Sequence, residues 1–334
     1  MADSKTFSHD LSFRPFQGES DYSRMLSIIN ASNQADQVDE TLSLQDIKRW
    51  TTSSSRFDPN KDLIITSIKD AGDKPTEVGF SRLTWYTGLK GARLYDQSSF
   101  LHPNWRQPVI WSAMVRQNEL RLQETARSHL DNVPRFYQGW ATSSQQEWIS
   151  TLIGESYLAV RHFNNMLCRL GEITEWALPS GIEIHPVQPE HFRSIWEAQR
   201  EVVLGLFEVV QENWGDEHYD RWLKNPSHTP ELWQVAWDGD QVAGMVLNRI
   251  DAAENKAFSR KRGYTEHIFV RGPWRKRGLA KALLSKSLTL LNKKGMEEAV
   301  LGVDSENESG AYGFYQRMGY QTFSTDIWFR KVME

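Results

Sequence analysis

The chain has a single cysteine, Cys168, in 334 residues, so it can form no intrachain disulfide and no metal site built on several thiolates. No apolar run approaches membrane-spanning length, and the opening MADSKTFSHD lacks the apolar core of a signal peptide. The expectation is a cytoplasmic protein with no membrane partner. Net charge is also small: 39 Lys and Arg against 43 Asp and Glu give −4, which argues against a nucleic-acid binder. What is present is ordinary globular composition, 39% hydrophobic and 25% charged, in a chain long enough for two domains. Cys168 sits in FNNMLCRL, which reads as a strand with a buried, inert thiol.

The same plan occurs twice. LSFRPF from Leu11 precedes the helical stretch DYSRMLSIINASN, and IEIHPV from Ile182 precedes HFRSIWEAQREVVLG. FLHPNWRQPVIW from Phe100 lays against FVRGPWRKRGLA from Phe269, matching Trp105 with Trp274 and Arg106 with Arg275. The two separations are nearly equal, which implies a duplicated unit of roughly 170 residues. The sequence thus divides into a tail over 1–10, a first domain over 11–175, a linker over 176–181 and a second domain over 182–334; the joint falls in GEITEWALPSG. Within the second domain the spacing predicts a strand, helices, and a hairpin turning at Asp238-Gly239-Asp240. The strand YTEHIFV follows, then a helix from Leu279 to Lys294, the strand EAVLGVD, the helix GAYGFYQRM and a closing strand pair in YQTFSTDIWFRKV. This is an α/β pattern with a mixed sheet.

Arg275, Lys276 and Arg277 stand just ahead of the helix at Leu279. A helix start carries unpaired N–H groups and the positive pole of the macrodipole, so cations belong there only with an anion between them. A phosphate is the natural partner, at a strand-to-helix turn where α/β sheets hold anionic cofactors. The alternative is a solvated basic face.

Arg275-Lys276-Arg277-Gly278-Leu279-Ala280 resembles the R/Q-x-x-G-x-G/A signature of the GNAT superfamily of N-acetyltransferases. The preceding strand ends in Val270, and Asn307 and Tyr315 in VDSENESGAYGFYQRMGY resemble the next landmark. The resemblance implies two tandem domains, each a mixed, mostly antiparallel splayed sheet flanked by helices, in the layout of mycothiol synthase and similar proteins. It implies acetyl-CoA as co-substrate, its pyrophosphate on the main chain of the motif, with Gly278 and Ala280 leaving room and Arg275, Lys276, Arg277 and Lys281 supplying charge. Main-chain groups of Ile268, Phe269 and Val270, with Asn307, would hold the pantetheine. No metal is implied.

The resemblance makes Tyr315 the proton donor to the departing thiolate in direct acetyl transfer to a primary amine. Many relatives carry an acidic base at the position of Tyr264, so the base here is open: Glu266, acting through water, or Glu266 as a partner of a neighbouring Arg. Alternation puts Tyr264, Glu266 and Ile268 on one strand face and His267 on the other. Opposite the motif the first domain has Arg106-Gln107-Pro108-Val109-Ile110-Trp111. There Val109 and Trp111 are expected to block a cradle by bulk, and Pro108 removes an N–H. The aromatics Trp85, Tyr86, Trp105, Trp111, Tyr137 and Trp140 read as core. Glu208, Glu212, Asp216 and Glu217 could form an acidic wall for a cationic acceptor. The sequence leaves the acceptor open between a small-molecule amine and a peptide, and the assembly open between monomer and homodimer. The competing functions are a non-catalytic acetyl-CoA sensor and an interaction protein.

Overall fold

The structure, a computed structural model, describes residues 10–40, 42–52, 57–69, 74–88, 91–206, 215–225, 228–306 and 310–334. Chain contacts divide it into two compact units, Met1–Arg161 with Asp326–Glu334, and His162–Thr325.

The first unit runs β1 (Asp10–Pro15), α1 (Glu19–Ala35), α2 (Leu44–Thr52), the single turn α3 (Pro59–Asp62), β2 (Leu63–Lys69), β3 (Thr76–Thr87), β4 (Arg93–Leu101), α4 (Pro108–Arg127), β5 (Arg135–Thr142) and α5 (Gln146–Gly154). The sheet follows chain order from β1 to β5 and is antiparallel except for the parallel pair β4 and β5. LIITSIK of β2 is buried on both faces, which explains its unbroken apolar start. Helix α4 buries Ile110, Met114, Val115, Leu122 and Ala126, a helical-period stripe, against the sheet.

The second unit follows nearly the same order, without a counterpart of α3 and with an extra short helix between its third and fourth strands. It contains β7 (Glu183–Ile184), α6 (Phe192–Leu206), α7 (Asp216–Leu223), β8 (Gln234–Asp238), β9 (Gln241–Ile250), α8 (Ala252–Ala257), β10 (Arg262–Val270), α9 (Leu279–Lys293), β11 (Glu298–Asp304) and α10 (Ala311–Arg317). Among the described residues of this unit only β10 and β11 pair in parallel. Leu284, Leu288 and Leu291 of α9 pack with Ala299 and Leu301 of β11, while α6 packs Ile195 and Trp196 with Val235, Met245 and Leu247 of the hairpin.

Two features differ from the sequence expectation. The division falls inside strands rather than at 176–181: β6 (Leu158–Arg169) gives residues 162–169 to the second unit, where they pair with β11, and β12 (Gln321–Val332) gives residues 326–332 to the first, where they pair with β5. The closing segment is one strand, β12, instead of a strand pair; neither glycine nor proline interrupts QTFSTDIWFRKV, and Ser324-Thr325-Asp326 continues the strand. No helix among the described residues is long and apolar enough to cross a membrane.

Candidate active site

The site is built where β10 leaves β11. These strands pair only at Arg262, Gly263 and Tyr264, and the Thr265 hydroxyl reaches the Val300 carbonyl at 3.4 Å. From there to Val270 the β11-facing edge of β10 has no strand partner among the described residues. Backbone groups are obligatory hydrogen-bonding groups, so this edge is ready for an extended ligand. Ile268, Phe269 and Val270, expected to hold the pantetheine through their main chain, all lie on it.

On its other edge β10 carries a bulge. Glu266 pairs with Leu247 and Phe269 with Met245, so β10 spends one more residue than β9 between these pairs, and His267 adopts φ 47°. Gly244 permits the close approach here, since a Cβ on it would lie 2.7 Å from the Phe269 carbonyl oxygen. The bulge breaks the expected alternation. His267 does not point away from Glu266; its Nδ1 meets Gln199 of α6, on the face where Glu266 lies opposite Leu247, whereas Ile268 turns to the α9 side with Val270.

The anion cradle follows. Gly278 caps α9 with φ 84° and ψ −2°, a left-handed conformation, and nothing lies within 4 Å of where its Cβ would be. The first main-chain bond into this turn is from the Ala282 N–H to the Gly278 carbonyl. Among the described residues the N–H groups of 276–281 find no main-chain acceptor. Lys276 is also left-handed, φ 61°, so successive N–H groups turn inward as an anion nest. Arg275 anchors this loop by donating its Nε–H to the Val270 carbonyl at 2.9 Å. Arg275, Lys276 and Arg277 are exposed, Leu279 is buried and Ala280 half-buried. Lys281 instead holds its ammonium 3.1 Å from the Trp176 ring centre, on a cavity of about 750 Å³ that Arg317 also lines.

Tyr315 of α10 is 7% exposed, packed between Phe314 and Tyr320 at ring-centre distances of 5.4 and 6.1 Å. Burial pushes its phenol up to about 12, and its hydroxyl has no hydrogen-bond partner among the described residues. It therefore holds a proton at neutral pH. Glu266 is half-exposed and accepts from Arg249 Nε and a terminal nitrogen at 3.3 and 3.2 Å, both through Oε1. Arg249 also covers the Tyr264 ring at 4.1 Å. The Tyr264 hydroxyl donates to Glu254 of α8, which Arg260 pairs in turn, and burial with Glu254 nearby pushes Tyr264 up to about 12. A carboxylate thus reaches the Tyr264 side chain from a helix the sequence reading did not foresee. His267 is accessible, yet the protein around it lowers its pKa, with Glu266 opposing. Asn307 lies outside the described residues, as do Glu208 and Glu212 and the side chain of Glu217; Asp216 opens α7 and pairs with Arg193.

Residues 191–320 match the acetyltransferase (GNAT) family, and the cradle and parted strands just described fall within that span. These residues are a GNAT-family domain. Ninety-one residues of the chain are 32% identical to N-alpha-acetyltransferase 30 of Schizosaccharomyces pombe, covering 27% of this chain and 58% of that protein. Over 160 residues the chain is 26% identical to mycothiol acetyltransferase of Streptomyces scabiei, covering 47% and 48% of the two. It spans about half the length of these curated relatives. Among solved structures, a GCN5-related N-acetyltransferase from Sphaerobacter thermophilus is similar with TM-score 0.69 at 20% identity, over 96% of this chain and 95% of that one. A tandem GNAT protein from the clavulanic acid biosynthesis pathway gives 0.64 at 12%, over 97% and 98%. At these identities the likeness is one of fold, and it covers both units.

The first unit keeps the GNAT element order without the cradle. Helix α4 starts on Pro108 behind an extended Gln107, with no left-handed glycine. Arg106 is drawn inward, bonded to Asp36 at 2.6 and 2.7 Å and to the Ser32 hydroxyl at 2.8 Å. Bulk is not the cause, contrary to expectation. Val109 points to solvent, Trp111 is buried and packs on Trp148, and a cavity of about 550 Å³ lies at this helix start. What is missing is the backbone turn, one N–H and the free cation.

Proposed function

We propose that the chain is an acetyl-CoA-dependent N-acetyltransferase whose second unit moves an acetyl group directly to a primary amine of a small molecule or peptide. The observation that carries this reading is the sequence of free main-chain edge on β10, left-handed Gly278 and unpaired N–H groups at 276–281, flanked by Arg275, Lys276 and Arg277 without acidic partners among the described residues. An extended amide-bearing arm suits the edge, and a pyrophosphate suits the nest. The residues present fit acetyl-CoA, which would supply the activated acyl thioester. The names of the relatives support an amine or peptide acceptor, since they are N-acetyltransferases.

Glu266 is the proposed proton acceptor for the amine. Arg249 holds Oε1, and Oε2 has no hydrogen-bond partner among the described residues, so the carboxylate is oriented without being fully occupied. Tyr315, protonated and unbonded, is the proposed proton donor to the leaving thiolate. Acetyl transfer from labelled acetyl-CoA to a panel of primary amines and peptide N-termini tests the reading by mass of the product. Acetylated product that depends on Tyr315 supports it. Tight acetyl-CoA binding with no product from any acceptor would leave a coenzyme sensor, and no binding at all an interaction protein.

A further inference from the structure

Arg82 lies on β3 of the first unit. Its Nε is enclosed and unbonded, and among the described residues the guanidinium forms no hydrogen bond or ion pair; its one packing partner of note is the Phe57 ring at 4.7 Å. Two carboxylates lie close enough to affect it, yet both are engaged elsewhere. Asp62 accepts from Arg121 at 2.8 and 3.1 Å, and Asp96 accepts from Gln138 at 3.0 Å. Burial lowers the Arg82 pKa and raises Asp96 to about 6, so neither charge is well solvated. Desolvating a cation that no counter-charge meets through a hydrogen bond is costly, and folded proteins retain such groups where something else meets them.

Arg82 is among the residues that line a cavity of about 320 Å³, large enough for a small organic molecule. This cavity opens where β4 and β5 part: the strands pair only from Arg93 to Gln97, and Ser98 and Phe100 on one side face Trp140 on the other. Trp50, stacked on Phe100 at 6.2 Å and 27°, and Trp148, whose indole N–H donates to the Trp140 carbonyl, complete aromatic walls. Trp140 is therefore lining rather than core, against the sequence expectation. Flat aromatic walls select a flat apolar body, and one forked cation selects a carboxylate. Glu40 also belongs to the lining.

We propose that this cavity in the first unit is a binding site for a small planar monocarboxylate, held by Arg82 against the tryptophan walls. The inference is independent of the coenzyme reading of the second unit.

Benzoate and indole-3-acetate, with their neutral amides benzamide and indole-3-acetamide, are the probes, followed by calorimetry and by thermal unfolding of the full chain. Each carboxylate is expected to bind once per chain at millimolar concentration and to raise the unfolding temperature, with its amide weaker by roughly tenfold or more. Arg82→Met should lose that preference while unfolding no lower than wild type, because it removes an unpaired buried charge. Excess coenzyme A should not displace the carboxylate. The proposal is overturned if neither carboxylate binds, if acids and amides bind alike, if Arg82→Met binds benzoate as wild type does, or if coenzyme A competes. Should Arg82→Met fail to fold, the acid-against-amide comparison on wild type decides alone.

Discussion

Gln199 donates from Nε2 to His267 Nδ1 at 2.8 Å, and the orientation of that amide is fixed by a third residue. The Trp222 indole N–H, a donor only, points at Gln199 Oε1 at 3.1 Å. The amide nitrogen must then face His267, so Nδ1 accepts and the neutral ring carries its proton on Nε2. His267 is therefore a neutral N–H donor beside Glu266, with its lone pair spent on Gln199, and the proton acceptor role falls to the carboxylate. Gln199→Glu should reverse the polarity of this contact and raise the His267 pKa above the ordinary value of about 6.5. Nitrogen-15 imidazole shifts, followed against pH in both proteins, read tautomer and pKa together; a proton found on Nδ1 in wild type contradicts the assignment.

Four histidines, His129, His218, His228 and His267, have pKa values lowered chiefly by burial. Folded protein then binds fewer protons than unfolded chain below the ordinary histidine value. Their contribution to stability is complete above about pH 6.5 and is lost as pH falls through the depressed folded-state values. Urea midpoints should drop between pH 7 and pH 5, and less so in His267→Gln. A flat midpoint over that interval contradicts the lowered values of these rings.

Gly278 constrains the chain through its backbone rather than through crowding. A methyl group at this position meets nothing within 4 Å, but φ 84° is strained for any other residue. Gly278→Ala is expected to lose roughly 1–2 kcal/mol of stability in denaturant unfolding. An unchanged stability would show that the turn relaxes freely and that the left-handed cap is not enforced.

Tyr315→Phe keeps the ring packing against Phe314 and Tyr320 and removes only the hydroxyl, which has no partner among the described residues. Fold and coenzyme affinity should survive, while turnover with an active acceptor falls about 10²-fold, the scale of a lost general acid. Wild-type turnover in this variant, with chemistry rate-limiting, would make Tyr315 a packing residue.

The strand and helix order of the second unit was legible in the sequence because its turns carry their signals: Asp238-Gly239-Asp240 for the hairpin and Gly278 for the start of α9. The bulge was not. It rests on a left-handed His267, a residue type that gives no glycine mark, and on the register against Val246 in the middle of β9. The division within β6 and β12 was hidden for a different reason. Strand partners are chosen by long-range pairing, which a local alternation pattern does not encode, so the tandem repeat was visible while its boundary was not. Glu254 was missed because α8 is a six-residue helix capped by Asp251, too short to show periodicity.

Calorimetric titration of acetyl-CoA into the wild-type chain and into Gly278→Val tests the central claim most directly. Wild type should bind one acetyl-CoA per chain, since among the described residues only the second unit has a left-handed glycine turn with free N–H groups at a helix start after a parted strand pair, and Gly278→Val should lose that binding while remaining folded by circular dichroism. Absence of binding by wild type, two equivalents per chain, or equal affinity in a folded Gly278→Val would contradict it.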